Sequence, residues 1–123
     1  MIIQFDNNRP IYLQLVEHLK LQIISGKFAA GDRLDSVRSL AEKVEVNPNT
    51  MQRALAELER QGLVYTQRTN GRFVTEDVDL IQHRKKEYAI DEIKEFMNKL
   101  TTLGYKDHEI LEIVNDYLKG GSI

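Results

Sequence analysis

The chain reads as a mainly α fold with one small β-hairpin, followed by a second, all-helical region. Three observations predict it. Apolar residues recur at helical spacing along most of the 123 residues. The exception runs from Gly62 to Thr75, where Asn70-Gly71 separates two short strand-like pieces. The charge balance changes sign where that stretch ends. Residues 1–75 hold 10 Lys/Arg and 8 Asp/Glu, a net of +2, whereas residues 76–123 hold 7 and 11, a net of −4. A weakly basic first part joined to an acidic tail predicts two jobs, with regions 1–76 and 77–123 meeting near Glu76 to Asp79.

Each element has its own signals. Pro10 suits the first turn of a helix, where its missing N–H costs nothing. Ile11, Leu15, Leu19 and Ile23 then form an apolar stripe that ends at Ser25-Gly26. Lys27 to Leu34, punctuated by Gly26 and Gly31, reads as a turn and a short extended piece. A second helix is expected from about Asp35-Ser36 to Val44, burying Val37, Leu40, Ala41 and Val44. After a break at Glu45 to Pro48, a third helix starts with Asn47 as its N-cap and Pro48 in its first position. Counted at about 100° per residue, Met51, Ala54, Leu55 and Leu58 share a buried stripe, and Asn49, Arg53, Ala56 and Arg60 lie opposite, with Gln52 at the edge. Gly62 is placed to end this helix in a left-handed conformation. Leu63 to Gln67 and Arg72 to Thr75 are the expected strands of the hairpin.

Beyond the boundary, a long helix to about Leu103 carries Ala89, Ile93, Phe96, Leu100 and Leu103 on one side. Gly104 breaks it, and Asp107 is the expected cap of a last helix with Ile110, Val114 and Tyr117 in a stripe, ending at Gly120-Gly121. Two helices are too few to bury both apolar faces, so a partner surface is expected, most economically a second copy of the chain.

Composition excludes several classes. There is no cysteine, hence no disulfide, thiolate metal site or thiol nucleophile. No apolar run approaches the roughly 20 residues that span a bilayer, and Met1 to Phe5 is too short for a signal peptide, so a cytoplasmic protein without membrane contact is expected. His18, His83 and His108 are scattered, which argues against a metal site. No nucleophile-and-base pattern or phosphate loop stands out, so neither an enzyme nor a cofactor is expected.

Helix, short turn, helix and then a hairpin is the order of a winged helix-turn-helix. A helix fits the major groove of DNA, where Arg53 could pair with guanine and Asn49 with adenine or a phosphate. Thr50 and the N–H groups at the start of the helix suit a phosphate oxygen. Arg38 is placed to reach backbone or groove, while Arg68 and Arg72 flank a narrow Thr69-Asn70-Gly71 tip that could enter the minor groove. Each residue also has a plainer reading. Arg53 and Arg60 could be surface ion pairs with Glu57 and Glu59, which is the preferred reading for Arg60. Asn47-Pro48 is explained by capping and Asn70-Gly71 by the turn. Only their order and spacing together favour DNA.

Pro10 to Val74 closely resembles the DNA-binding domain of GntR-family bacterial transcription regulators. The resemblance is carried by Pro10-Ile11-Tyr12, Gly31-Asp32-Arg33-Leu34, Ser36-Val37-Arg38, Leu40-Ala41, Val46-Asn47-Pro48-Asn49-Thr50, Arg53-Ala54, Leu58-Glu59, Gly62-Leu63 and Gly71 with Phe73-Val74. It implies DNA contacts at Arg38, Asn49, Thr50, Gln52 or Arg53, and the wing tip. Two departures stand out. Asp35 replaces a usual proline and brings a capping carboxylate and a negative charge, and Thr69 replaces the first glycine of the tip.

Only the 48 residues from 76 to 123 follow, too few for the large effector domains of other branches. A short two-helix tail is similar to that of the YtrA subfamily, in which it mainly dimerises. That implies a homodimeric, autoregulating repressor, often of a transporter operon, acting on a palindromic operator in double-stranded DNA. Ile93, Phe96, Leu100, Ile110, Val114 and Tyr117 are the expected buried tail surface, with packing inside one chain a rival reading for Ile110 and Val114. A small-molecule effector between the tail helices or at the junction stays open, with Tyr88, Tyr105 and Tyr117 as candidate lining or simply core. Arg84-Lys85-Lys86 reads as a solvated face. The alternative function is a winged-helix module that binds a protein rather than DNA.

Overall fold

A buried glutamine organises the start of the chain. Gln14 is 7% exposed; its amide donates to the carbonyls of Asp6 and Arg9 at 2.6 and 2.9 Å, and its Oε1 accepts the Asp6 N–H at 2.7 Å. Leaving those groups unpaired on burial would be costly, so the segment before Pro10 is held against the helix it precedes. The computed structural model describes residues 3–121; Met1, Ile2, Ser122 and Ile123 lie outside the described residues.

The first helix, α1 (Ile11–Ile24), buries Leu15, Leu19 and Ile23 as its stripe requires, and adds Val16 and Ile24, while Ile11 is half-buried. The second, α2 (Val37–Val44), buries Leu40, Ala41 and Val44, with Val37 half-buried. Its cap is Ser36, whose Oγ accepts the Ser39 N–H at 3.1 Å. Asp35 does not cap it: its carboxylate is paired with Lys43 instead. The chain leaves α2 through Glu45 at φ 57° and ψ 48°, a left-handed conformation with no signal in its residue type. Asn47 caps α3 (Pro48–Arg60) through its side chain, and Met51, Ala54, Leu55 and Leu58 are buried. Gly62 turns the chain at φ +81°, and a Cβ there would lie 3.1 Å from Leu80 Cδ2.

The hairpin pairs β1 (Val64–Gln67) with β2 (Gly71–Val74) in antiparallel register, Val64 opposite Val74 and Tyr65 opposite Phe73. The two rings stack across the strands with centroids 5.6 Å apart. A third segment lies along the outer edge of β2. Leu34 N–H donates to Arg72 O at 2.9 Å and Val74 N–H to Asp32 O at 2.8 Å, which bridges Arg33 to Phe73. The piece expected to be merely extended is therefore part of the wing.

Asp77 accepts the Leu80 N–H at 3.0 Å and starts α4 (Val78–Thr102), and α5 (Asp107–Leu118) follows the break at Gly104. Asp107 is the first residue of α5 rather than its cap. Lys106 holds the cap position, its N–H bound to the Glu109 carboxylate at 3.0 Å. Two compact units result, Met1–Lys85 and Lys86–Ile123, dividing within α4. In the first, α1 and α2 pack on α3 around Leu15, Leu19, Met51, Leu55 and Leu58, and β1 adjoins α3. Ile81 joins the buried residues, and Arg84 is no solvated cation, since its Nη2 donates to the Gln61 carbonyl at the end of α3 at 3.4 Å. In the second unit Ile110 is 2% exposed, Leu100 and Val114 are half-buried, and Ile93, Phe96 and Tyr117 are exposed. Tyr105 is exposed too, so neither it nor Tyr117 is core.

Candidate nucleic-acid interface

The packing that buries one stripe of α3 turns the other outward. Asn49, Gln52, Arg53, Ala56 and Arg60 are exposed, and Thr50 is half-buried beside them. The start of this helix is not a fully open anion site, because Asn47 Oδ1 already takes the Asn49 N–H at 2.7 Å. Arg60 is committed as its plainer reading requires. Its Nε donates to Glu57 Oε2 at 2.7 Å, and the guanidinium holds the Glu57 carboxyl below the usual carboxylate range. Arg53 does not use Glu57. Its guanidinium carbon lies 3.6 Å from the centroid of the Tyr12 ring, on α1.

The wing tip is a three-residue loop, Arg68-Thr69-Asn70, and Gly71, expected in the tip, is the first residue of β2. Asn70 N–H donates to Gln67 O at 3.1 Å, and Gly71 follows at φ +99°, paired with Gln67. The Asn70 to Gln67 hydrogen bond closes the turn, and Gly71 enters β2 in a backbone conformation that favours glycine. Arg68 is exposed at the tip; Arg72 is half-buried on β2, with its Nη1 3.4 Å from Gln52 Oε1 on α3. Two of the expected DNA-contacting residues thus meet each other, tying wing to helix. Arg72 Nε is buried without a hydrogen-bond partner among the described residues.

Between the wing and the start of α2 lies a cleft of about 340 Å³, lined by Arg33, Ser36, Thr66, Arg68, Gly71 and Arg72 among others. Arg38 is exposed two residues past the Ser36 cap. Arg33 was not among the residues expected to matter. It faces the wing because its backbone pairs with β2, and its Nε sits 3.4 Å from where a Cβ on Gly71 would be. A pairing across some 40 positions leaves no local signal, and only an arginine within an extended piece hinted at it. Tyr12 was likewise unflagged, since nothing in its own helix points to Arg53.

The electrostatics separate two groups of cations. Arg9, Lys43 and Arg60 are ion-paired to carboxylates. Among the described residues, Arg33, Arg38, Arg53, Arg68 and Arg72 make no such pair. Their charge is left for an external anion, and the elements that carry them, α2, α3 and the wing, are those that dock on a duplex in winged helices.

The family model for bacterial regulatory proteins of the gntR family matches residues 11–74. The chain belongs to the GntR family. Its first unit carries the family's DNA-binding helix-turn-helix, and the chain is similar over nearly its whole length to family members with short tails. It is 34% identical to the HTH-type transcriptional regulator YhcF of Bacillus subtilis over 96% of this chain and 98% of the relative. It is 33% identical to the HTH-type transcriptional repressor YtrA of the same organism over 98% and 97%. A solved GntR-family transcriptional regulator from Listeria monocytogenes superposes with a TM-score of 0.85 at 40% identity, covering 91% of this chain and 98% of that one. The fold is also that of the AraR DNA-binding domain solved with operator ORX1, at a TM-score of 0.55 and 24% identity over 61% of this chain and 95% of that one. The GntR-family chain described here is accordingly a transcriptional regulator.

Proposed function

We propose that this regulator is a cytoplasmic repressor that binds a palindromic operator as a homodimer and acts by binding rather than catalysis. The observation that carries the reading is the set of five arginines without carboxylate partners on α2, α3 and the wing. Arg53 and Asn49 read base edges from α3, together with Gln52. Arg38, Thr50 and Arg72 hold phosphates, and Arg68 with Gly71 brings the wing tip to the minor groove. The first region, 1–76, supplies this reading head.

The tail, 77–123, supplies the dimer. Ile93, Phe96 and Tyr117 are 56%, 43% and 72% exposed on a single chain, and a partner copy would cover them. Leu100 and Val114 flank that surface; Ile110, already buried, supports it from within the chain. Two linked heads make the second docking event intramolecular, and two-fold symmetry asks for half-sites about one helical turn apart. A small-molecule effector would act by changing the geometry of that dimer. By analogy with YtrA, named a repressor, the regulator represses transcription; the subfamily resemblance implies an operator at the protein's own operon, often a transporter operon.

The test is to let the full chain select duplexes from a randomised pool, then measure affinity across a salt series and the mass in solution. The reading expects one palindromic sequence, an affinity that falls steeply with salt, a dimer that Phe96→Asp dissociates, and repression of an operator-driven reporter that Arg53→Ala abolishes. Failure to enrich any sequence would reject DNA reading and favour a protein-binding module.

A further inference from the structure

We propose that Tyr12 is a positioning residue for Arg53: its ring holds the guanidinium plane in place so that the in-plane N–H donors are presented to the DNA. The inference rests on the reading of α3 as the helix that faces DNA. The guanidinium carbon of Arg53 is 3.6 Å from the ring centroid, well inside the range of a cation–π contact. Among the described residues nothing else claims that guanidinium. Glu57, one turn further along α3, would be its natural partner, but both Glu57 oxygens are engaged by Arg60 Nε, at 3.0 and 2.7 Å.

The ring has the rigidity this role needs. Tyr12 is half-buried at the start of α1, ahead of the buried run Gln14, Leu15 and Val16, and α1 packs on α3. Gln14 fixes the preceding segment through its three hydrogen bonds. Stacking engages only the flat face of a guanidinium. Its five N–H groups point outward in the plane, so the fork that matches guanine O6 and N7 stays unspent. An exposed arginine with no such rest would lose its rotamer freedom on binding, whereas one held by the ring has lost much of it beforehand. The hydroxyl has no part in the stack, so phenylalanine should replace tyrosine.

The test uses the duplex that the wild-type protein selects from a randomised pool, and a scrambled duplex of the same composition. Tyr12→Leu is expected to weaken the selected duplex by roughly three- to tenfold and leave the scrambled one unchanged, while Tyr12→Phe stays within about twofold of wild type. On an Arg53→Ala background, Tyr12→Leu should cost nothing further. Without DNA, the Arg53 Nε–H resonance should be shifted upfield by the ring in wild type and Tyr12→Phe and return towards its ordinary position in Tyr12→Leu. If Tyr12→Leu does not fold, Tyr12→Met removes the ring at similar length. Unchanged or tighter binding by the ringless variant, or an equal loss on the Arg53→Ala background, would overturn the inference. Wild type selecting no duplex would instead sink the DNA reading, and this inference with it.

Discussion

Arg72 on β2 reaches Gln52 on α3, Nη1 to Oε1, at 3.4 Å. The contact is long for a hydrogen bond and therefore weak, but it joins the two elements that must dock on DNA together.

The two residues should separate by what they read. Arg72→Ala is expected to weaken binding to all duplexes alike and to reduce the slope of log K against log salt by about 1, because one phosphate contact is lost. Gln52→Ala is expected to alter base preference at one position of the half-site with the slope unchanged. Salt titrations on selected and scrambled duplexes check both.

Gly71→Ala should destabilise the first unit by about 1–3 kcal/mol. The position sits at φ +99°, where L side chains are strained, although the new methyl itself would only touch Arg33 Nε at 3.4 Å. Urea melts measure the loss, and weaker DNA binding should accompany it because the strained backbone lies at the wing tip.

Glu45→Gly should do the reverse. A left-handed conformation costs a residue with a Cβ about 1–2 kcal/mol, and glycine gives back about 0.4–1 kcal/mol through the unfolded chain. A net gain of about 0.5–1 kcal/mol is expected in the same melts. Glu45 is exposed and, among the described residues, makes no ion pair with the arginine face, so DNA affinity should hold.

Stability should also fall on mild acidification. Desolvation, aided by the charge of Lys27, holds His18 below its ordinary 6.5, and its Nε2 is buried without a partner among the described residues. Above 6.5 the imidazole is neutral whether the chain is folded or not, and the full stability is present. As the pH drops below that value the unfolded chain takes up the proton first, so stability declines until the lowered folded pKa is passed. Denaturation midpoints between pH 7 and 5 should show this loss, and His18→Gln should flatten it.

Much of this was legible in the chain. The stripes of α1, α2 and α3, the Asn47 cap and Gly62 all rest on relations within four residues, and local physics enforces those. The Ser36 cap was missed by one residue because Asp35 is an equally good capping type; Lys43, about two turns beyond, took the carboxylate away. The cap of α5 was misplaced for a different reason: Lys106, not a capping type, holds that position through its N–H to the Glu109 carboxylate. The hairpin strands were read to within a residue at each end; Gly71 was expected in the tip because glycine suits a turn, and it pairs with Gln67 instead.

What the sequence determined by itself was the order of elements, the buried side of each helix in the first unit and the GntR resemblance, since periodicity and capping are short-range and binary patterning selects the buried face. What only the tertiary structure decided was which side chains meet: Arg33 beside Gly71, Arg72 with Gln52, Tyr12 under Arg53, and Ile110 spent inside its own chain. Except for Ile110, those meetings join segments 20 or more residues apart, and they exist because burying the apolar stripes leaves α1, α3 and the wing a single way to pack.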